Sequence, residues 1–529
     1  MKNRVLFSLK VSFSITILTV SSLTLLLLLL SGCNSSSSQN NKPNILFIAV
    51  DDLRPELGCY GSTAIKSPNI DKLAGEGMVF TRAYCQSAVC NPSRASLLTG
   101  MRPDSIRVWD LRTDFRDNVP DIVTLPQYFK QNGYESVAIG KIYHNNIPDT
   151  LSWSEPKMYL DDYPFDPDAV YRDEKILEEI EKRKEAILKA GKEKRYIDRF
   201  GKWYIKQYAT EGPDVPDNAY FDGAQTDAAI QKLKELKEGE KPFFFAIGYY
   251  RPHLPFNVPK KYWDMYDRNK IPLADNQFIP KNAPLMAINN LRELRSYTDF
   301  KQAKHPAYGS LTEEQARLLR HGYFASVSYV DAQIGRLMDS MEKMGLRDNT
   351  IVILWGDHGW KLGEHNSWCK MTNYEIDTRV PLIISTPDMK NTGKKSAALV
   401  EFVDIYPSLC ELAGLPLPSD LQGTSFVPLL DNPDRPWKKA VFSQFLREGV
   451  WIAPDGIEYM GYSIRTDRFR YVEWINWETK ELAAKELYDH ETDPQENENI
   501  VDNPQYAGYV QTLAGQLKAG WRKAIPAQD

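Results

Sequence analysis

The chain has 529 residues, 42% hydrophobic and 26% charged, an ordinary globular composition with enough apolar side chains for a large core and too long for one small module. Its 65 Lys and Arg stand against 70 Asp and Glu, a formal net charge of −5, which excludes the general positive excess that binds nucleic acid or an anionic membrane face. The 33 Pro and 28 Tyr follow no fixed period, which argues against collagen-like, solenoid and disordered classes.

The chain opens with Lys2, Arg4 and Lys10 followed by an apolar run ending in Leu25 to Leu30, the pattern of an export signal. Leu30, Ser31, Gly32 and Cys33 resemble a bacterial lipobox. That resemblance implies a lipoprotein signal peptide over residues 1–32, lipid on Cys33 and a polar tether through residue 43. The protein is then expected outside the cytoplasm, held to a bacterial membrane. An uncleaved membrane anchor is the competing reading, since about 20 apolar residues span a bilayer. Cys59, Cys85, Cys369 and Cys410 allow three pairings or remain buried free thiols.

Asn44 to Val50 is a continuous apolar run closed by Asp51 and Asp52, as in a strand buried on both faces with polar groups at its carboxyl end. Similar runs recur at Ser136 to Ile139, Phe243 to Ile247, Ile351 to Trp355 and Leu382 to Ile384, with helical patterns between them at Leu125 to Asn132 and Ala325 to Met344. The alternation predicts an α/β fold with a large, mostly parallel sheet between helices. Sites in such sheets gather beyond the carboxyl ends of the strands. Asp173 to Arg195 reads as a charged surface helix with one apolar stripe. After Gly423, the runs Trp437 to Phe445, Tyr462 to Arg465 and Phe469 to Trp474 predict a smaller antiparallel subdomain. The expected organisation is a main domain over 44–430 and a C-terminal subdomain over 431–529.

Cys90-Asn-Pro-Ser-Arg-Ala-Ser-Leu-Leu-Thr-Gly100 is the most informative segment. Pro92 and the apolar residues after it put Cys90 near a helix N-terminus, a position that suits an anionic group. Asp51, Asp52, Asp357 and His358 bring three carboxylates and an imidazole to two strand ends. This oxygen-rich set fits Ca²⁺ better than a thiolate-bound transition metal, with Mg²⁺ and Mn²⁺ open.

The segment from Cys90 to Gly100 resembles the signature C-x-P-S-R-x-x-x-L-T-G of the type I, formylglycine-dependent sulfatases. Other motifs of that family follow: Asp51-Asp52, Gly140-Lys-Ile-Tyr-His144, Tyr249-Tyr-Arg-Pro-His-Leu-Pro-Phe256 and Gly356-Asp-His-Gly-Trp360. The run from Gly356 to His365, with Lys370, is most similar to the iduronate-2-sulfatase branch. The resemblance implies an alkaline-phosphatase-like fold and formylglycine made from Cys90 by a formylglycine-generating or sulfatase-maturating enzyme, the modified residue completing the shell of Ca²⁺. It assigns Lys141 and Lys370 to sulfate oxygens and Arg94 to the formylglycine hydrate. It makes His253 the acid that protonates the departing sugar oxygen, and His144 the base that lets sulfate leave the modified residue.

The expected substrate is a sulfated oligosaccharide, a uronate 2-sulfate or a related glycan, with Trp360, Lys361, Glu364 and His365 as candidates to line its mouth. His305, His321 and His490 fall outside the resemblance and read as structural. A phosphate-ester hydrolase of the same fold and a catalytically silent saccharide-binding lipoprotein are the competing functions.

Overall fold

Strand β1 (Asn44–Val50) is apolar on both faces because it runs through the middle of the main sheet. Leu46, Ile48 and Val50 face one core cluster and Ile45, Phe47 and Ala49 the other, as the two-residue period of a strand requires. The computed structural model describes residues 42–144, 147–156, 170–191, 206–447 and 456–526. The export segment, Cys33 and most of the tether lie outside these residues. Among the described residues, no helix is long and apolar enough to cross a membrane.

The other strands of the main sheet are β2 (Met78–Tyr84), β3 (Glu135–Gly140), β4 (Phe243–Tyr249), β5 (Thr350–Gly356), β6 (Arg379–Ser385), β7 (Lys394–Ser396) and β8 (Val400–Glu401). Their order is β7-β2-β6-β5-β1-β4-β3, with β8 beside β2. Pairings β5-β1, β1-β4 and β4-β3 are parallel. The run at Leu382 to Ile384 is a strand as its composition predicts, yet it runs antiparallel to both β5 and β2. Composition reports burial and is blind to direction. Helices α1 (Pro68–Glu76), α2 (Cys90–Thr99), α3 (Leu125–Gln131), α4 (Glu174–Lys189), α5 (Phe221–Glu238) and α6 (Glu313–Lys343) complete the α/β layers. The last begins twelve residues before the predicted pattern, with Thr312 and Gln315 forming a capping box. Helix α4 follows the predicted surface helix as far as Lys189, capped by the Asp173 side chain and buried at Ile180, and residues 192–195 of that prediction lie outside the described residues.

The C-terminal sheet pairs β9 (Ala440–Arg447), β10 (Tyr459–Thr466), β11 (Phe469–Asn476) and β12 (Leu482–Asp489) in antiparallel order. Its first three strands follow the predicted runs. The fourth was hidden because Ala, Lys, Glu and Leu in its sequence are helix formers. Helix α7 (Ala507–Ala519) packs on this sheet through Leu513. The sheet is fastened beside the signature segment: Gln444 N donates to Gln86 O at 2.8 Å, and Ser443 Oγ to Cys85 O at 2.6 Å. Arg470 adds ion pairs to Glu375 at 2.7 Å and Glu496 at 2.6 Å.

Glu486 is buried in the C-terminal sheet, accepting from Trp474 Nε1 at 2.7 Å and Tyr488 OH at 2.5 Å. Burial pushes its carboxyl up to about 7. A folded-state value above the unfolded one stabilises the fold below the unfolded value and is lost as pH rises through the folded one. Glu486→Gln is therefore expected to flatten the decline in urea-measured stability between roughly pH 5 and pH 8. An unchanged pH profile in the variant would contradict this account.

Candidate active site

Four adjacent strands, β5, β1, β4 and β3, deliver Asp357 and His358, Asp51 and Asp52, His253, and Lys141 and His144 beyond their carboxyl ends. Asp51 and Asp52 follow β1, and plain strand alternation would send them to opposite faces. Instead Asp52 takes a left-handed backbone, φ 60°, an uncommon conformation for a residue with a Cβ and one that concentrates at functional sites. It is held by its own N–H donating to Asp357 Oδ1 at 2.9 Å and by Tyr323 OH donating to its carbonyl at 2.8 Å. Lys141 follows β3 where β4 has Gly248: a Cβ there would stand 2.0 Å from the Lys141 carbonyl oxygen. Glycine is what lets the Lys141 backbone cross.

Cys90 is the first residue of α2, as the sequence predicts, and all ten residues of that helix are buried. Its Sγ lies 3.3 Å from His358 Nε2 and 3.7 Å from Lys141 Nζ. Burial, then the Asp51 charge, pushes the thiol up to about 12. The bare side chain is therefore a neutral thiol and not an activated nucleophile.

One turn along α2, Arg94 is wholly buried and reaches two strand ends, Asp51 Oδ1 at 3.0 Å and Asp357 Oδ2 at 2.8 Å. It also donates to the carbonyls of Lys141 and Ile142. Lys141 Nζ meets Asp51 Oδ2 at 2.5 Å, and Lys370 Nζ meets Asp52 Oδ2 at 3.0 Å. Although burial opposes it, Lys141 and Arg94 hold Asp51 well below the usual carboxylate range. Burial drives Asp52 the other way, helped by the Asp51 charge.

The donor set fits a divalent cation. Asp51, Asp52, Cys90 and His253 form one group whose ligand atoms lie within 4.8 Å of one another, and Cys90, Asp357 and His358 form another. Asp52 Oδ1 is buried without any hydrogen-bond donor, and His358 Nε2 stands 3.4 Å from it. A buried carboxylate oxygen left unmatched is costly unless a cation or proton meets it.

Above this floor, a cavity of about 550 Å³ is lined by Cys90, His144, His253 and Lys370 among others. His144 is pushed down to about 2 by burial and by Lys141. His253 is pushed down to about 3 by burial and by Lys370. His253 Nδ1 donates to Leu254 O at 2.6 Å, and Nε2 lies 3.1 Å from Glu293 Oε1, a contact that a proton on Nε2 makes a charged hydrogen bond.

Glu293 carries no motif and was missed by sequence reasoning, yet its carboxylate also pairs with Lys370 at 2.8 Å. Arg112, Lys206 and Arg292 line the same cavity, equally without a local signal. With Lys370 they make four cations against the two carboxylates Asp110 and Glu293, so the cavity favours an anion.

The expected mouth residues need correction. Trp360 is buried beneath the site, with Lys370 Nζ 4.7 Å from its ring centre, so neither face is open to a sugar. Lys361 is spent on Asp377 and Thr372, and Glu364 pairs with Arg54 at 2.9 Å. His365 is buried, bonded through Nε2 to Gln495 O at 2.8 Å and set edge-on against Tyr374. The reason is a short hairpin, Lys361–Leu362 against Trp368–Cys369, which turns these residues inward and leaves Lys370 at its exit. His305 caps a short turn at Ala307, His321 is bonded to Trp263 O and His490 to Glu496. None of the three lines the catalytic cavity. Cys59, Cys85, Cys369 and Cys410 are free thiols.

The family profile described as Sulfatase matches residues 43–415, and one described as N-sulphoglucosamine sulphohydrolase, C-terminal, matches residues 363–523. The chain is 33% identical to iduronate 2-sulfatase of Mus musculus, covering 90% of this chain and 95% of that one. It is 30% identical to a sulfatase of Formosa agariphila, covering 90% and 86%. A protein solved in complex with its substrate D-glucosamine-2-N,6-O-disulfate has the same fold, with TM-score 0.69 and 24% identity over 90% of this chain and 97% of that one. A phosphonate monoester hydrolase of Agrobacterium radiobacter shares it too, with TM-score 0.66 and 23% identity over 90% and 95%.

Because Glu293 is a negative charge inside an anion-favouring cavity, Glu293→Gln is expected to bind inorganic sulfate about tenfold more tightly. Lys206→Ala should bind it more weakly. Calorimetric titration at fixed ionic strength checks both signs, and unchanged affinity in both variants would remove the cavity's charge from the account.

Proposed function

Since the chain belongs to the sulfatase family and is a sulfuric ester hydrolase, we propose that it removes sulfate from a uronate 2-sulfate or closely related ester of a glycosaminoglycan, with formylglycine formed from Cys90 as nucleophile. The observation that carries this reading is the convergence of Cys90, Lys141, Lys370 and His253 on paired carboxylates at the floor of a cation-rich cavity. The identity with iduronate 2-sulfatases over most of both chains supports the substrate class.

Asp51, Asp52, Asp357 and His358 would hold the divalent cation, Ca²⁺ by the chemistry of the donors. When bound, it supplies positive charge next to residue 90 and the sulfuryl oxygens. Formylglycine made from Cys90 would supply, as its hydrate, a nucleophilic hydroxyl together with a second hydroxyl that Ser lacks.

The chain's own residues do the rest. Lys141 and Lys370 hold the sulfuryl oxygens in line and balance the negative charge that grows there. His253, its ring fixed by the Leu254 carbonyl, presents Nε2 to the departing sugar oxygen. The negative ester arriving beside Lys370 offsets one of the causes that keep this imidazole unprotonated. His144, half-buried and with its basicity lowered by desolvation and by Lys141, is placed to take the proton from residue 90 when sulfate leaves. Arg94 helps keep Asp51 ionised and holds both Asp51 and Asp357 in place.

Residues 44–430 would carry the reaction, and residues 431–529 would form the smaller subdomain that closes one wall of the cavity. The lipobox resemblance at Cys33 extends the proposal to an exported enzyme tethered by lipid to a bacterial membrane.

Sulfate release should be measured on a panel of sulfated disaccharides, with phosphate esters beside them, using protein co-produced with a formylglycine-generating enzyme. The Cys90 peptide should be about one water lighter than the thiol form. Cys90→Ala should lower kcat/KM by roughly a thousandfold or more. Converted protein that hydrolyses phosphate esters and no sulfated saccharide in the panel would overturn the proposal.

A further inference from the structure

Lys370 leaves the hairpin after β5 on a backbone that its neighbours do not favour. Cys369 before it and Met371 after it both take left-handed conformations, φ 70° and 82°, which a Cβ makes uncommon and which persist only where the surroundings impose them. Here the surroundings are two buried side chains from distant segments, Asn289 and Arg447, 4% and 0% exposed. Neither lines the catalytic cavity.

Asn289 Nδ2 donates to Trp368 O and to Lys370 O, each at 2.8 Å. An atom that faces two carbonyls must be the amino nitrogen, so both of its protons are used, one on either side of Cys369. Arg447 is the last residue of β9, and its Nη2 donates to Met371 O at 2.9 Å while its Nε donates to Met286 O at 2.8 Å. Met371 N donates to Ala88 O at 3.2 Å, just ahead of Cys90. The peptide unit between Lys370 and Met371 is therefore bonded at both of its polar groups, to Asn289 on one side and to the entrance of α2 on the other.

Met286, whose carbonyl Arg447 also holds, stands shortly before Asn289 and Glu293 in the chain. One guanidinium at the end of β9 thus joins the segment that carries Lys370 to the segment that carries its partner Glu293. Asp52 Oδ2 at 3.0 Å and Glu293 Oε1 at 2.9 Å accept from Lys370 Nζ, and the third proton of the ammonium is left for an anion entering the cavity. That proton reaches its place only while the Lys370 backbone stays where it is, and a displacement of about 1 Å at such a group can cost about a hundredfold in rate.

We propose that Asn289 and Arg447 are positioning residues for Lys370, which fix the backbone from which its ammonium meets the sulfuryl oxygens. The task given to Lys370 in this inference rests on the sulfatase reading above. The C-terminal sheet then sets the geometry of the reaction through Arg447, besides walling the cavity.

The test is a double-mutant cycle in converted protein: Asn289→Ala and Arg447→Lys, each alone and each combined with Lys370→Met. Arg447→Lys keeps the charge and loses the planar fork that spans two carbonyls. Each single variant should lower kcat/KM on a sulfated disaccharide by about tenfold or more, and weaken inorganic sulfate by a similar factor in calorimetric titration. A residue that acts through Lys370 loses its effect once Lys370 is gone, so in the Lys370→Met background the same substitutions should move both readouts by less than about twofold. General damage to the fold would multiply through that background undiminished, and this result overturns the proposal. So do single variants that stay within about twofold of wild type. Urea unfolding shows which variants fold: either cycle decides if the other variant is lost, and loss of both with Lys370→Met intact makes the two residues structural and overturns the proposal too. If the wild type releases no sulfate from any sugar, the sulfatase reading fails instead, and the sulfate titrations decide the positioning role alone.

Discussion

A single buried guanidinium organises the site. Arg94 rises from the first turns of α2 and bridges Asp51 after β1 to Asp357 after β5, while its remaining donors meet the carbonyls that follow β3. Three strand ends and one helix are thereby fixed around residue 90. Removing one partner of a buried ion pair commonly costs about 3–5 kcal/mol, because the other charge is stranded away from water. Here the stranded charges would be the carboxylates needed for a cation, so fold stability and site chemistry share the same contacts.

Around that bridge the charges alternate. Lys141 answers Asp51, Lys370 answers Asp52, and Glu293 answers both Lys370 and His253. The alternation lets a dense group of polar and charged side chains stay buried, while Asp52 Oδ1 remains unmatched. Two polar economies result within one wall of the protein: a floor that suits a cation and a cavity above it that suits an anion.

Much of the fold was legible because buried strands in an α/β sheet must be apolar on both faces. The runs at Asn44 to Val50, Phe243 to Ile247 and Ile351 to Trp355 could hardly be anything else, and each ends in the polar residues that form the site. Strand direction was not legible, since Leu382 to Ile384 has the composition of its parallel neighbours and runs against them. The strand Leu482–Asp489 was missed because its residues prefer helix and only cross-strand pairing with Phe469–Asn476 overrides that preference.

For the site, the sequence by itself determined the residues that sit within short motifs: Cys90 and Arg94 on one helix, Asp51 and Asp52, Lys141 and His144, His253, Asp357 and His358. Motifs are local, and each of these is placed by the strand end or helix start beside it. Tertiary structure alone decided what comes from far along the chain. Glu293, Arg112, Lys206 and Arg292 reach the cavity from segments with no pattern of their own. Trp360 and His365 lie inside a motif, yet the hairpin after β5 turns them into the core. Proximity in sequence specifies which groups share a turn of chain, but which groups face a substrate depends on how distant turns pack.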